Sequence, residues 1–489
     1  MSQLKDSELS VTKEGYVRYA DARPSRNELP TRAVVTGVRA RDAAARDYDV
    51  IVVGAGFAGL TAARDLGRDG YRVLLVESRD RIGGRTFAAR VDGYDYEIGG
   101  TWIHWSQPHV WSEVTRYGLS IKESIGATPT TISYLCDGVL KRAAAEEVWA
   151  EFAEAMAAYC NVDGAEARTV FPRAHDPLYS EEVAKYDHIS LADRLAELNL
   201  RPDIRDMIGA MLALDCHGDP ATAGLADQLR WWALGDHEMG RMFDKCGRFK
   251  IKEGTTSLAL AMLEDSKADL LLSTKVVKIE QRGDAAEVHT ANGETLTARQ
   301  VVCALPMNVL KNVQFIPELS PGKLAASREE HAGKGTKFWV KLDRKIGSWF
   351  GMAPYPHPVL AAWTDTEAED GTYVVCFGSP DQVDVSSLEA VQAALRTLLP
   401  DAVVKAVIAH DWAKDEAALG TWCFYRPNQL TSALATLQSA DDRVFFAGSD
   451  WANGWRGFID GAIESGTVAA VNVRAALRAE VKTKQPVRV

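Results

Sequence analysis

Residues 48–77, YDVIVVGAGFAGLTAARDLGRDGYRVLLVE, decide the fold. The run Asp49 to Val53 is short, rich in β-branched residues and halted by glycine, so it reads as a buried parallel strand rather than a helix. Gly54, Gly56 and Gly59 then spell G-x-G-x-x-G at a strand-to-helix turn. The first permits the tight turn, the second lets backbone approach a pyrophosphate, and the third lets the helix lie close on the sheet. Free N–H groups and the helix dipole favour phosphate charge there. A second strand, Val73 to Val76, ends on Glu77, 18 residues past Gly59. A carboxylate at that place accepts hydrogen bonds from an adenosine ribose and disfavours a 2′-phosphate. The order specifies a dinucleotide-binding βαβ unit and leaves NAD and FAD undivided.

Outward from this unit the chain changes character several times. RDRIGGRT, with Arg81, Gly83, Gly84 and Arg85, and DGYDYEIGGTWIHW carry two glycine doublets. They suggest backbone passing close to something flat or phosphorylated, although an ordinary turn explains either doublet alone. From about 126 to 246 the pattern is helical, with AAAEEVWAEFAEAMAAYC and ISLADRLAEL apolar at i, i+3, i+4 and i+7, broken by a long loop at 168–188. After 250, LLLSTKVVKIEQRG, AEVHT and ETLTARQVVCALP alternate as strands around Ala291-Asn292-Gly293. KGTKFWVKL and YVVCFG read as further strands, and Ser387 to Leu399 as a helix; a last strand ends at Gly448 before a loop and a final helix. Strand-loop-helix pieces at both ends imply an α/β protein: a discontinuous Rossmann-like nucleotide domain (48–125, 247–310 and 425–480) with an inserted α+β substrate domain (126–246 and 311–424). Residues 1–47 read as a polar arm, laid on the surface or partly disordered, and 481–489 as a tail.

With 489 residues, 46% of them hydrophobic, the chain can build two sizeable cores. A net charge of −11 argues against nucleic acid or an anionic membrane as partner and is compatible with a cationic small molecule. Seven scattered cysteines without a C-x-x-C pair read as reduced thiols of a cytoplasmic protein. The N-terminus has no secretory pattern, and no apolar run approaches the about 18 residues of a membrane span. The ten histidines show no metal-ligand spacing, so no metal is expected, and no G-x-S-x-G elbow supports an acyl hydrolase.

From Tyr48 to about Ala476 the chain resembles the flavin-containing amine oxidase superfamily. VIVVGAGFAGLTAARDL, RIGGRT, EIGGTWIHW, FFAGSDW and GWRGFIDGAIESG occur in that family's order. WIHWSQPHVW, VDGAEARTVFPRAHD and GTWCFYRP are most similar to fungal-type monoamine oxidases and their bacterial relatives acting on cyclohexylamine or nicotine. The resemblance implies FAD. It places Gly54, Gly56, Gly59 and Glu77 at the ADP half, Arg85 beside pyrophosphate and flavin, and Gly99, Gly100, Thr101 and Trp102 along the isoalloxazine. Val276 would meet adenine, Asp450 follows the C-terminal strand, and Ile459 lies beside the flavin pyrimidine.

The same resemblance implies an aromatic cage of Trp422 and Phe458, which would align the amine and strip its water. Core packing would otherwise be the expected role of such rings among 13 tryptophans. Lys337 resembles the residue that reaches the flavin through water, although Lys334, Lys341 and Lys345 are its neighbours. Thr421 stands where several family members carry the cysteine that links flavin, so FAD is expected to be non-covalent. Cys423 would then be a packed thiol. Leu212, Trp232 and Phe243 are candidate walls of the substrate pocket, with helical core packing as the competing reading. The implied reaction is monoamine oxidation to an imine, with dioxygen reduced to hydrogen peroxide. The alternatives are a dehydrogenase of a cyclic, nicotine-like amine with a protein acceptor, and a flavin-binding scaffold without turnover. A homodimer is compatible with the chain but not specified by it.

Overall fold

The computed structural model describes residues 9–35 and 47–484. In chain order, the elements that build the site begin with β1 (Tyr48–Val53), α1 (Phe57–Arg68), β2 (Val73–Val76), α2 (Pro202–Cys216), α3 (Leu225–Leu234) and α4 (Met239–Gly247). They continue with β3 (Thr295–Cys303), β4 (Thr336–Leu342), β5 (Ala361–Ala368), β6 (Gly371–Gly378), β7 (Val444–Phe446) and α5 (Ile459–Lys484).

β1 runs parallel to β2 on one side and β3 on the other, with Val50 opposite Val73 and Val53 opposite Cys303. β7 joins parallel to β3. Val50 to Val53 are buried, each side chain contributing roughly 1.5–3 kcal/mol of hydrophobic stabilisation. The turn after β1 needs glycine twice. Gly54 has φ +107°, and a Cβ on Gly59 would lie 1.9 Å from Gly54 O, so α1 can settle on the turn only without a side chain there. α5 packs against α1 through a second bare position, where a Cβ on Gly466 would lie 2.4 Å from Ala58 O.

The other large sheet has eight strands, with β4 antiparallel to β6 and to Val404–Ala409. Period-two alternation sorts β4. Phe338, Val340 and Leu342 enter a core cluster with the helix Leu388–Arg396, whereas Trp339 belongs to the main core on the opposite face. Lys337 lies on the Trp339 face, opposite Phe377 of β6.

Three expectations change. The stretch 126–246 is not helical throughout: Thr131–Cys136 and Val139–Ala144 form a hairpin that edges the eight-stranded sheet. Of the two readings of the arm, residues 9–35 are laid on the fold as strands rather than disordered, because Ser10–Thr12 pairs with Leu29–Thr31 and Tyr16–Tyr19 pairs with Val404–Ala409. The nucleotide sheet extends past 310, since Gln314–Ile316 pairs with Val276–Arg282, and α5 continues to Lys484, beyond the expected start of the tail. The remainder of the arm (1–8 and 36–46) and of the tail (485–489) lies outside the described residues. The seven cysteines are free thiols. Among the described residues no helix is long and apolar enough to cross a membrane.

Candidate active site

A cavity of about 350 Å³ begins at the glycine turn and ends among aromatic rings from both sheets and the helices. At its nucleotide end Gly54 and Gly56 face Gly83 and Gly84, whose φ values are +100° and +61°. Gly83 N donates to Ala55 O at 2.8 Å, and a Cβ on Gly84 would lie 3.0 Å from Gly56 Cα. Two bare backbones therefore meet where a diphosphate would pass. Glu77 accepts from Ala55 N at 2.7 Å and Arg79 N at 2.9 Å, which fixes the carboxylate at the end of β2. Val276 lines the same end.

Arg85 sits midway. Its guanidinium donates to Thr421 O at 2.9 Å, Ser449 Oγ at 2.9 Å and Asp450 Oδ1 at 2.5 Å. Asp450 is fully buried, and its Oδ2 accepts from Met307 N at 2.9 Å. Burial alone would raise its pKa, but Arg85 and His331, with those hydrogen bonds, hold the carboxyl below the usual range.

At the far end Lys337 is buried, and its Nζ donates to Glu97 O at 2.9 Å, Gly99 O at 2.6 Å and Thr101 Oγ1 at 2.5 Å. The Thr101 hydroxyl itself donates to Gly99 O at 3.0 Å, so its oxygen can only accept from the lysine. Three acceptors match the three N–H bonds of an ammonium. Burial pulls the Lys337 pKa down; nearby Glu97 opposes the fall and Lys250 adds to it. The other lysines are accounted for elsewhere: Lys334 pairs with Glu330, Lys341 with Asp370, and Lys345 is exposed.

Trp422 is fixed on two sides. Its Nε1 donates to Asp215 O at 2.8 Å, and its ring stacks on His217 with centroids 4.2 Å apart and 8° between planes. Burial lowers the His217 pKa to about 3, so this backing ring is neutral. Phe458 packs against Trp231 and Trp455, at centroid distances of 5.0 and 5.1 Å. Both Trp422 and Phe458 line the cavity, as do Gly99, Gly100, Thr101, Trp102, Phe243 and Ile459.

Four expected site residues do not line it. Leu212 and Trp232 are packed into the core, and α3 presents the adjacent Trp231 instead. Asp450 lies behind Arg85, and Gly59 lies behind Gly54. The sequence reading also passed over Asp215, Trp231, Cys246, Trp363 and Phe377, all of which face the cavity. Every residue of α3 is buried, so no polar face marked which tryptophan would look inward.

The lining fits FAD. Bare backbone continues from the turn at Gly54 to Gly99 and Gly100, Glu77 offers a carboxylate that would meet a ribose, and Lys337 lines the far end, where the isoalloxazine would lie. Thr421 precedes Trp422, and the Cys423 thiol on its other side is buried 3.7 Å from Asp450 O and does not line the cavity.

An α/β fold built on two large sheets, with a dinucleotide turn opening into an aromatic, lysine-floored chamber, defines a flavin oxidoreductase. The chain belongs to the flavin containing amine oxidoreductases, whose family model matches residues 57–474, and its cofactor is non-covalently held FAD. It is 41% identical to a pseudooxynicotine dehydrogenase of Pseudomonas sp, covering 88% of this chain and 87% of that one. It is 35% identical to a nicotine dehydrogenase of Pseudomonas putida, covering 96% and 100%. The structure of wild-type putrescine oxidase bound to putrescine superimposes with a TM-score of 0.74 at 22% identity, over 88% of this chain and 99% of that one.

Proposed function

We propose that the protein dehydrogenates a nicotine-like amine, converting its C–N single bond to an imine, or to an iminium ion where the nitrogen is tertiary, which water then hydrolyses. The observation that carries this reading is the single cavity joining the dinucleotide turn to the chamber of Lys337, Trp422 and Phe458. The names of the two Pseudomonas relatives support both the substrate class and the dehydrogenase reading. Bound FAD supplies the oxidation by accepting a hydride equivalent.

The chain's own residues prepare the amine. Trp422 and Phe458, with Trp231 and Phe243, wall a chamber whose aromatic faces exclude water and confine the amine. The Nε1 bond to Asp215 O and the His217 stack hold Trp422 still, which fixes the amine's orientation. Lys337 brings a positive charge to the chamber floor, where negative charge would develop on reduction. That cation also favours a second reading, reoxidation by dioxygen with release of hydrogen peroxide.

Anaerobic titration of the holoenzyme with nicotine and a panel of secondary amines tests the proposal. Bleaching of the flavin band near ~450 nm is expected. The reduced enzyme is then mixed with oxidised cytochrome c or with air-saturated buffer. Rapid cytochrome reduction with slow peroxide formation supports the dehydrogenase, and rapid peroxide formation supports the oxidase. Bleaching by none of the amines would overturn both and leave a flavin-binding scaffold.

A further inference from the structure

Asp215 is a buried acid that the proposed chemistry leaves unused. It occupies the penultimate position of α2 and lines the cavity beside Leu214, Trp231 and Cys246. Gln228 Nε2 donates to its Oδ2 at 2.9 Å, and among the described residues no lysine, arginine or histidine pairs with it. The titratable groups around it are Tyr159, Cys160, Cys216 and Cys246, each kept neutral by burial that raises its pKa. The C-terminal end of α2 adds the negative pole of a helix dipole, and the next ring along, His217, is neutral. A buried carboxylate at the negative end of a helix, with neutral neighbours and no cation paired to it, is a costly arrangement to keep without a ligand.

We infer that Asp215 is the pocket's counter-ion for the positively charged nitrogen of the incoming substrate, and that this carboxylate selects cationic amines over neutral ligands of the same shape. The inference rests on the amine reading above. The chemistry is consistent from both sides. Burial raises the Asp215 pKa to about 7, and a bound ammonium would bring it back down, so cation binding and ionisation reinforce each other. Gln228 serves either state: Nε2 donates to the ionised acid, and Oε1, which has no partner, can accept from the protonated one after the amide turns over. Because that partner is neutral, the charge is left for a ligand to balance.

The test compares two ligands that differ in one atom, benzyltrimethylammonium and its uncharged carbon isostere neopentylbenzene. Binding to the holoenzyme is followed by perturbation of the flavin band and of tryptophan fluorescence, without turnover. Wild type is expected to prefer the cation by at least about tenfold, the scale of an ion pair in a partly desolvated site. Asp215→Asn should abolish that preference while leaving neopentylbenzene binding within about twofold, and Asp215→Glu should restore part of it. Equal binding of the two ligands by wild type would overturn the inference, as would an undiminished preference in Asp215→Asn. Neither ligand reports on oxidation. A failure of amines to bleach the flavin therefore sinks the proposed function without touching this result, and the converse also holds.

Discussion

Lys337 illustrates how much a single side chain depends on its strand. Four lysines crowd residues 334–345, and composition treats them alike. Pairing in the sheet separates them, because alternation along β4 turns Lys337 to the face of Trp339, where its Nζ lies 5.0 Å from the Trp102 ring centroid. If that charge assists electron transfer out of the flavin, Lys337→Met is expected to slow reoxidation on the order of 10–100-fold while changing anaerobic reduction by the amine much less. Stopped-flow measurement of the two half-reactions checks this. Wild-type reoxidation in the variant would reduce Lys337 to a structural tie for Glu97 O, Gly99 O and Thr101 Oγ1. Trp422 was legible through its surrounding motif, but Asp215 was not. Its signal is three-dimensional: an acid on a helix end becomes notable only when every neighbour proves to be neutral.

At the scale of elements, the βαβ unit was readable because a β-branched run, three glycines and an acid each answer a separate physical need. Two glycines of that unit divide fold from cofactor. A Cβ on Gly59 would strike Gly54 O at 1.9 Å, whereas Gly56 has φ −76° and its Cβ would meet nothing nearer than Gly84 Cα at 3.7 Å. Gly59→Ala is therefore expected to lower the melting temperature of the apoprotein, through about 1–3 kcal/mol of overpacking, and to lose FAD. Gly56→Ala should melt like wild type yet bind FAD at least about tenfold more weakly, because its methyl occupies the diphosphate path. Thermal scans of apoprotein and flavin retention on desalting separate the two, and matching behaviour of both variants would refute the division. The hairpin at 131–144 shows what was overlooked: Asp137-Gly138, with φ of 49° and 75°, is a tight-turn signal between two short apolar runs, masked by the helix that follows.

Asp460, in the first turn of α5, supplies an element-scale pH test. Its Oδ1 accepts from Val110 N at 2.8 Å at the start of the helix Pro108–Arg116, and its buried Oδ2 has no partner. Burial raises its pKa to about 7 from 3.8; the Val110 and His109 N–H groups oppose the rise and Glu464 adds to it. Between those values the folded state holds a proton that the unfolded chain has released. The stabilisation is thus complete below the unfolded pKa and is lost as pH rises through about 7. Asp460→Asn keeps the Oδ1 acceptor and does not titrate. Its melting temperature, relative to wild type, is expected to improve from pH 5 to pH 8, and parallel pH curves would exclude this role.

Across the whole molecule, the segment least legible in sequence ties the parts together. Residues 9–35 are polar, and their short strands exist only because sheet edges receive them, a tertiary effect without local periodicity. Glu14, between two of those strands, pairs with Arg79 Nε at 2.8 Å and Arg81 NH2 at 2.5 Å. Arg81 is fully buried over the Phe87 ring, and Arg79 reaches Asp415 at 2.5 Å on the loop after Val404–Ala409. Glu14 thus connects the N-terminal strands to the glycine loop of the cofactor cavity and, through Arg79, to the loop that follows Val404–Ala409 of the second large sheet. Removing it strands a buried guanidinium, a change that typically costs about 3–5 kcal/mol, far above the 0–1 kcal/mol of a surface pair. Glu14→Ala is expected to melt several degrees lower and to release FAD more readily, since Arg79 and Gly83 line the cavity. Glu14→Gln, which keeps the hydrogen-bond acceptor, should fall between the two. If Glu14→Ala instead melts within about one degree of wild type and keeps its flavin, the N-terminal strands are an ornament on the fold rather than its clasp.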